Sequence, residues 1–412
     1  MARHGSGGRV AADPETLAGR IDATLDRGFL LDTLLDLGRV PTDVPVGFDT
    51  LIDPDDPKLV HYVQEVMRPR LIAEGADDLI DAGRNELVLR LGSGERERCL
   101  LIQNYTPAQH HNLMQRPFDA RVADGAAYGR EGPVAVGQGV SQNKAHQAVM
   151  LAVLRLLREL GTPLRGQLYW TVNNEGRSSH DCTNAILERL DRRPNFAVLQ
   201  LNQRMGISLG NRGRVDVDVR LRGRTTHSST PDAGANAIEG AALVVERLRT
   251  LSWQDRHELL SGRHAHVYKL ELDPVAPHTI PGLARLTIDR RLLPGDDPDA
   301  ATEEIRDALA GLGPFDVTVE RGVTMLPSLI DPADPWLASM QQAFIAARGR
   351  AAPVFYSPGC FDAGATSARG IPTVSFGAGG DGDWPTGDDA VAIVDVEDEA
   401  RVLAQLILTE LA

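Results

Sequence analysis

Cysteine is scarce. The chain has three in 412 residues, Cys99, Cys182 and Cys360, with neither a CxxC pair nor framework spacing. That excludes a disulfide scaffold and sets the expectation of a reduced, cytoplasmic setting. Long apolar runs are lacking too. The most hydrophobic stretch, Ala148 to Leu157, is interrupted by Arg155 and falls short of the ~20 residues a membrane span needs. Basic residues are in deficit, 43 Lys and Arg against 57 Asp and Glu, for a formal charge of −14. A phosphate-binding surface needs clustered cations, so neither nucleic acid nor an anionic membrane is expected as the main partner. The opening stretch, Met1 to Asp13, is Gly-rich and polar and does not read as a signal peptide. What remains, 42% hydrophobic and 24% charged residues, is a globular chain long enough for two domains.

Periodicity fills in the elements. Leu30, Leu31, Leu34, Leu35 and Leu37 share one side of a helix predicted over Glu15 to Leu37, with Gly38 as its stop. A second helix is expected over Lys58 to Glu74. Strands follow near Glu86 to Arg90 and Cys99 to Gln103, then a helix with Val149, Val153, Leu156 and Leu160 on its buried face. A buried strand from Gln167 to Val172, a helix near Cys182 to Leu190 and a strand at Phe196 to Leu199 continue the alternation. This is the pattern of a mostly parallel mixed sheet with helices on both faces.

From Val215 the texture changes. Val215, Val217, Val219 and Leu221 alternate with polar residues, marking a strand with one wet face. The order from there is strand, helix, strand, strand, helix, strand, which predicts a ferredoxin-like α+β domain inserted in the larger one. The expected division is 14–212 and 324–412 for the large α/β domain and 213–323 for the insertion.

Chemistry is expected where Gln167 to Val172 ends in Asn173-Asn174-Glu175-Gly176, at the carboxyl edge of the sheet. Two acidic residues at such a turn commonly make a metal ligand and a general base. Here only Glu175 is acidic, and Asn174 has no basic site for a proton near neutral pH. Asn104 closes another strand at a similar polar edge. Gly137-Gln138-Gly139 ahead of a helix allows close backbone approach to a ligand, weak support by itself.

Gly223-Arg224-Thr225-Thr226-His227-Ser228-Ser229, Gly234-Ala235-Asn236-Ala237-Ile238 and Asp289-Arg290-Arg291-Leu292-Leu293-Pro294-Gly295, in this layout, resemble the di-zinc aminoacylase, glutamate-carboxypeptidase and desuccinylase family from about residue 20 onward. The resemblance implies that the insertion is a lid that mediates homodimerisation. It further implies that His227 reaches the partner's site, Arg291 holds a substrate carboxylate, and Asn236 helps bind substrate. The family's metal positions fall here on Asn104, Thr106, Gln142, Glu175, the stretch Gln200 to Asn202, and near Pro385 and Thr386, with the general base on Asn174 and Lys144 retained. Gly359-Cys360-Phe361-Asp362-Ala363 matches a Gly-Gly-Thr-Asp-Ala loop, with Cys360 in place of a glycine.

Zinc needs imidazole, thiolate or carboxylate donors, and amides replace them poorly. The resulting expectation is an enzyme without zinc or other cofactor that acts on an amide-type or other C–N bond of a carboxylate-bearing, amino-acid-like small molecule. Glu175 and His227 are the candidate catalytic groups. Asn104, Gln142, Asn174, Asn236, Arg291, Gly359 and Cys360 are candidate substrate contacts. The alternatives are a non-catalytic binding homologue and a zinc amidohydrolase with relocated ligands such as His110 or His111. Cys360 as a nucleophile ranks below a space-filling thiol, and His180-Asp181-Cys182 reads as polarity at a helix start.

Overall fold

The computed structural model describes residues 15–44, 48, 52–76, 78–108, 114–174, 179–253, 256–379 and 387–412. Among them the largest sheet has nine strands. Its central strand, Cys99–Tyr105, runs parallel to Gln167–Asn173 on one side and to Phe196–Gln200 on the other, and Thr373–Phe376 lies parallel to Phe196–Gln200. Every residue of Cys99–Tyr105, Gln167–Asn173 and Phe196–Gln200 is buried, because helices cover both faces. Register aligns Tyr105 with Asn173 and Phe376 with Gln200, so these four strands end at one polar edge. Towards the sheet margins the pairing turns antiparallel.

Helix Ala145–Leu160 and helix Ile393–Leu411 are buried along most of their length and join one apolar cluster with Trp170, Phe196, Phe344 and Phe376. A second apolar cluster belongs to the chain from Val215 to Val319. There, strands Gly213–Arg222, Ala265–Asp273, Leu283–Leu292 and Asp316–Met325 form an antiparallel sheet, with Leu283–Leu292 and Gly213–Arg222 in the middle. Helices Ala237–Thr250 and Pro298–Ala308 pack on it, giving the expected strand–helix–strand–strand–helix–strand order.

The structure corrects the sequence reading in places. The first predicted helix is two, Leu17–Thr24 and Arg27–Gly38, because Asp26 leaves helical geometry and its carboxylate accepts the Phe29 N–H at 2.9 Å. Strand Ile207–Asn211 and a small sheet of Arg121–Asp124, Pro133–Val136 and Ala390–Ala392 were not anticipated. These are short segments, and Ile207–Asn211 and Ala390–Ala392 find their partners far along the chain.

Candidate active site

The polar edge is built from the ends of the buried strands and the helix that faces them. Gly139 adopts φ 84°, a left-handed conformation that suits glycine, and its N–H donates to Asp389 at 2.7 Å. The chain then makes a π-turn over Val140–Lys144 before the α-helix at Ala145. Such wide turns recur at functional sites. Gln142 sits in this turn, 2% exposed, and neither atom of its amide has a hydrogen-bond partner. Lys144 points the other way, its ammonium 3.4 Å from the Tyr62 ring centroid, and burial holds its pKa well below the ordinary lysine value.

One turn on from Gln142, His146 is fully buried and its Nδ1 lies 2.9 Å from Glu399. Glu399 also accepts the Gln200 amide at 2.8 Å and the Ala378 N–H at 2.8 Å. The orientation of Gln200 follows from chemistry. The Trp170 indole can only donate and does so to Gln200 Oε1 at 2.8 Å, which leaves Nε2 for Glu399. Asn104 Nδ2 makes contacts at the 3.5 Å limit with Gln200 Oε1 and Met150 Sδ, while Asn104 Oδ1 has no partner. His146 Nε2 is buried and has no hydrogen-bond partner among the described residues.

Asn174 is buried and its amide donates to the Asn85 carbonyl, while Asn174 Oδ1 is unpartnered. Asn202, half-buried, donates to Ser141 Oγ at 3.3 Å. Glu175, His110, His111, Pro385 and Thr386 lie outside the described residues. Among the described residues no group of three or more His, Cys, Asp or Glu side chains could hold a metal ion.

A second polar cluster joins the antiparallel sheet to the loop Ser357–Cys360. Arg212 Nε and Arg291 Nη1 both donate to the Pro358 carbonyl, at 3.0 and 3.3 Å. Arg291 also pairs with Asp289 at 2.8 Å, and Arg214 with Asp216 at 3.1 Å. Arg212 donates to His264 Nδ1 at 3.3 Å, which places the proton of His264 on Nε2. Burial, reinforced by Arg212, pushes the His264 pKa down to about 4. Cys360 is 8% exposed and its loop neighbour Gly359 donates to Ser357 Oγ. Among the described residues, Arg212, Arg214 and Arg291 meet Asp216 and Asp289 here.

His180 does not act as helix-start polarity. Its Nδ1 lies 2.7 Å from Asp362 and its Nε2 accepts the Leu326 N–H at 2.7 Å, so it ties three segments together as a neutral ring. Arg290 precedes Arg291 on the strand Leu283–Leu292. It is 1% exposed, donates to Glu304 and stacks over Trp253. Asn236 caps helix Ala237–Thr250, accepting the Ile238 N–H at 3.1 Å. His227 is exposed, 2.7 Å from Ser229 Oγ, with its ring centroid 6.1 Å from that of His278.

The sequence reading missed His146, Glu399, Arg212 and Arg214. The only local signals were the four-residue step from Gln142 to His146 and the Arg-Gly-Arg opening of a strand.

A mostly parallel sheet with a polar carboxyl edge, joined to an inserted antiparallel sheet by an arginine-rich seam, defines a mixed α/β chain with an inserted α+β unit. The family profile described as a peptidase dimerisation domain matches residues 209–316. The chain is 26% identical over 244 residues to succinyl-diaminopimelate desuccinylase 2 of Shewanella loihica, which is 55% of this chain and 62% of that one. Across the curated relatives compared, the matched stretches span 42% to 71% of the relative's length. In fold it is similar to the di-peptidase Dug1p of Saccharomyces cerevisiae, with a TM-score of 0.76 at 13% identity, covering 95% of this chain and 98% of that one. A metallo-carboxypeptidase of the M20 family from Sulfolobus solfataricus gives 0.72 at 16%, covering 92% and 98%. The chain is thus similar in fold to M20 peptidases, and its residues 209–316 match a peptidase dimerisation domain. No helix among the described residues is long and apolar enough to cross a membrane.

Proposed function

We propose that this protein acts on an amide-type or other C–N bond of a carboxylate-bearing, amino-acid-like small molecule, without zinc, in the cytoplasm and as a homodimer through its lid, residues 213–323. One observation carries the substrate class: Arg212 and Arg291 share the Pro358 carbonyl, with Arg214 on the adjoining strand. Guanidiniums gathered this closely favour an anionic ligand group, and a carboxylate can take two parallel N–H bonds from one of them. Gly359 and Cys360 would flank that carboxylate.

The metal-free part is supported by the chemistry of the donor set. Asn104, Gln142 and Asn174 present amides at the sheet edge, and Gln200 is already bonded to Glu399 and Trp170. Such groups cannot share charge with an ion as imidazole and carboxylate do, so the described residues do not fit a two-metal centre. Glu175 would serve as base and His227, from the partner, as proton donor or acceptor. Asn104, Gln142 and Asn174 would orient the substrate, with Asn236 supporting the lid contact. The non-catalytic alternative draws on Asn174, whose amide is tied to the Asn85 carbonyl.

The test is metal analysis of chelator-treated and zinc-reloaded protein beside a turnover screen of N-acyl amino acids and dipeptides. Expected are turnover that survives chelation and its loss in Glu175→Gln and His227→Ala. Two tightly bound zincs per chain that restore activity would reject the metal-free mechanism. Ligand-induced stabilisation with no turnover would favour a binding protein.

A further inference from the structure

A pocket of about 400 Å³ opens at the amino end of the large sheet, a size within the roughly 300–1,000 Å³ of small-molecule sites. Gln167 lines it as the first residue of strand Gln167–Asn173, so the pocket lies about 20 Å along that strand from the polar edge. Its wall is built by the turn that leaves strand Leu87–Leu91. Gly92 adopts φ 97°, and a Cβ there would fall 2.1 Å from the Gly166 carbonyl oxygen, so only glycine lets the two segments meet. The Ser93 N–H then donates to the Leu164 carbonyl and the Arg96 N–H to the Arg165 carbonyl, both at 2.9 Å, which fixes the turn against the start of the strand.

The charged residues lining the pocket are Asp78, Arg90, Asp191 and Arg192. Arg90 lies between two carboxylates, donating from Nε to Asp78 and from Nη1 to Asp191. That triad carries one negative charge in excess. Arg192 pairs with no carboxylate among the described residues; the Arg96 and Gly94 carbonyls hold its guanidinium at 2.6 and 2.8 Å and leave its other N–H groups free. Gln167 is 7% exposed, and its Nε2 donates to the Leu91 carbonyl at 2.7 Å, so Oε1 is an acceptor without a partner among the described residues. A Cβ at Gly94 would stand 3.4 Å from Gln167 Oε1 and 3.4 Å from Arg192 Nη2. This acceptor and this donor therefore converge on the space beside Gly94, within the pocket.

We propose that this pocket binds a free α-amino acid as its zwitterion, apart from the candidate active site, with the carboxylate on Arg192 and the ammonium on Gln167 Oε1 and Asp78. A carboxylate can take two parallel N–H bonds from one guanidinium, and an ammonium brings three donors. A simple anion is drawn to Arg192 but repelled by the triad, and a simple cation meets the reverse. Only a ligand with both charges matches both walls, and an α-amino acid carries the two on one carbon. No apolar side chain lines the pocket, which favours a small polar amino acid over a hydrophobic one.

The experiment is equilibrium titration of the full chain with L-serine, with 3-hydroxypropanoate, which is serine without its ammonium, and with ethanolamine, which is serine without its carboxylate. None of the three has an amide bond to cleave. Expected is binding of L-serine at least about tenfold tighter than of either analogue, since each analogue leaves one wall unmatched. Arg192→Met should weaken L-serine at least about tenfold. Asp78→Asn, on a half-exposed side chain, should narrow the preference for L-serine over 3-hydroxypropanoate and leaves the carbonyl ties of Arg192 intact, in case Arg192→Met loosens the turn. Arg291→Ala, at the distant seam, should leave L-serine binding unchanged. No saturable binding, equal affinity for the three probes, a preference that survives both pocket substitutions, or L-serine binding that is lost in Arg291→Ala would overturn the site.

Discussion

The sheet edge and the arginine seam handle polarity in opposite ways. At the seam, charges are matched by charges: Arg291 by Asp289 at 2.8 Å, Arg214 by Asp216 at 3.1 Å, and the remaining cation by a carbonyl. At the edge the side chains are neutral, and several amide atoms have no partner. The seam is thus balanced in charge, although the ion-paired atoms Arg291 Nε and Asp289 Oδ1 do not meet hydrogen-bond geometry. The edge keeps unmet hydrogen-bonding capacity on Asn104, Gln142, His146 and Asn174. The difference is that the seam balances its polarity through charge, whereas the edge relies on neutral hydrogen-bonding groups.

The sharpest way to break the comparison is to remove Glu399, the buried anion that His146, Gln200 and Ala378 share. Glu399→Ala would strand the donors of His146, Gln200 and Ala378 together and is expected to cost about 3–5 kcal/mol, read from urea denaturation. A loss below about 1 kcal/mol would show that the network is slack and its orphans unremarkable. Next in size, Ile288→Ala in the second apolar cluster should cost about 2–5 kcal/mol. Because that cluster is separate from the main one, the loss should appear in an unfolding transition of its own. A single transition that simply moves down would mean that the two cores melt as one.

The lid was the more legible half. Alternation at Val215, Val217, Val219 and Leu221 is a local property, and all four residues are buried on one face. The same holds for the fully buried strand at 167–173. The edge was legible only as a row of amides where a resemblance led one to look for acids. Its organising pair, His146 and Glu399, is separated by 253 residues, and no spacing rule joins groups brought together solely by the packing of two helices. His180 failed for a related reason. Its sequence neighbours Asp181 and Cys182 were irrelevant, while Asp362 and Leu326 arrive from elsewhere in the fold.

A smaller effect sharpens the seam. Arg291→Ala should raise the KM or Kd of a carboxylate ligand about 10- to 100-fold, the worth of charge-assisted hydrogen bonds, with little change in stability. His264 supplies a pH counterpart. Its native pKa of about 4 lies below the unfolded value near 6.5, so the folded state binds fewer protons between these limits. The stability it contributes is complete above about pH 6.5 and is lost as pH falls through about 4. His264→Gln should flatten the decline of the urea midpoint between pH 7 and pH 4.5. A decline as steep as in the wild type would place its origin in other groups.

The smallest effect separates structure from recognition at Asn236. Its side chain accepts the Ile238 N–H as a helix cap, a role that serine and aspartate also perform. Asn236→Ala should therefore cost about 1 kcal/mol of lid stability, and Asn236→Ser almost none. If capping is its whole contribution, Asn236→Ser retains full turnover or ligand affinity. If the amide nitrogen, which contacts Glu239 at the long distance of 3.4 Å, swings to a substrate bound beneath the lid, Asn236→Ser keeps the fold but raises KM. A change in KM without a change in stability would move Asn236 to the recognising side of the comparison, because only a lost ligand contact separates the two readouts.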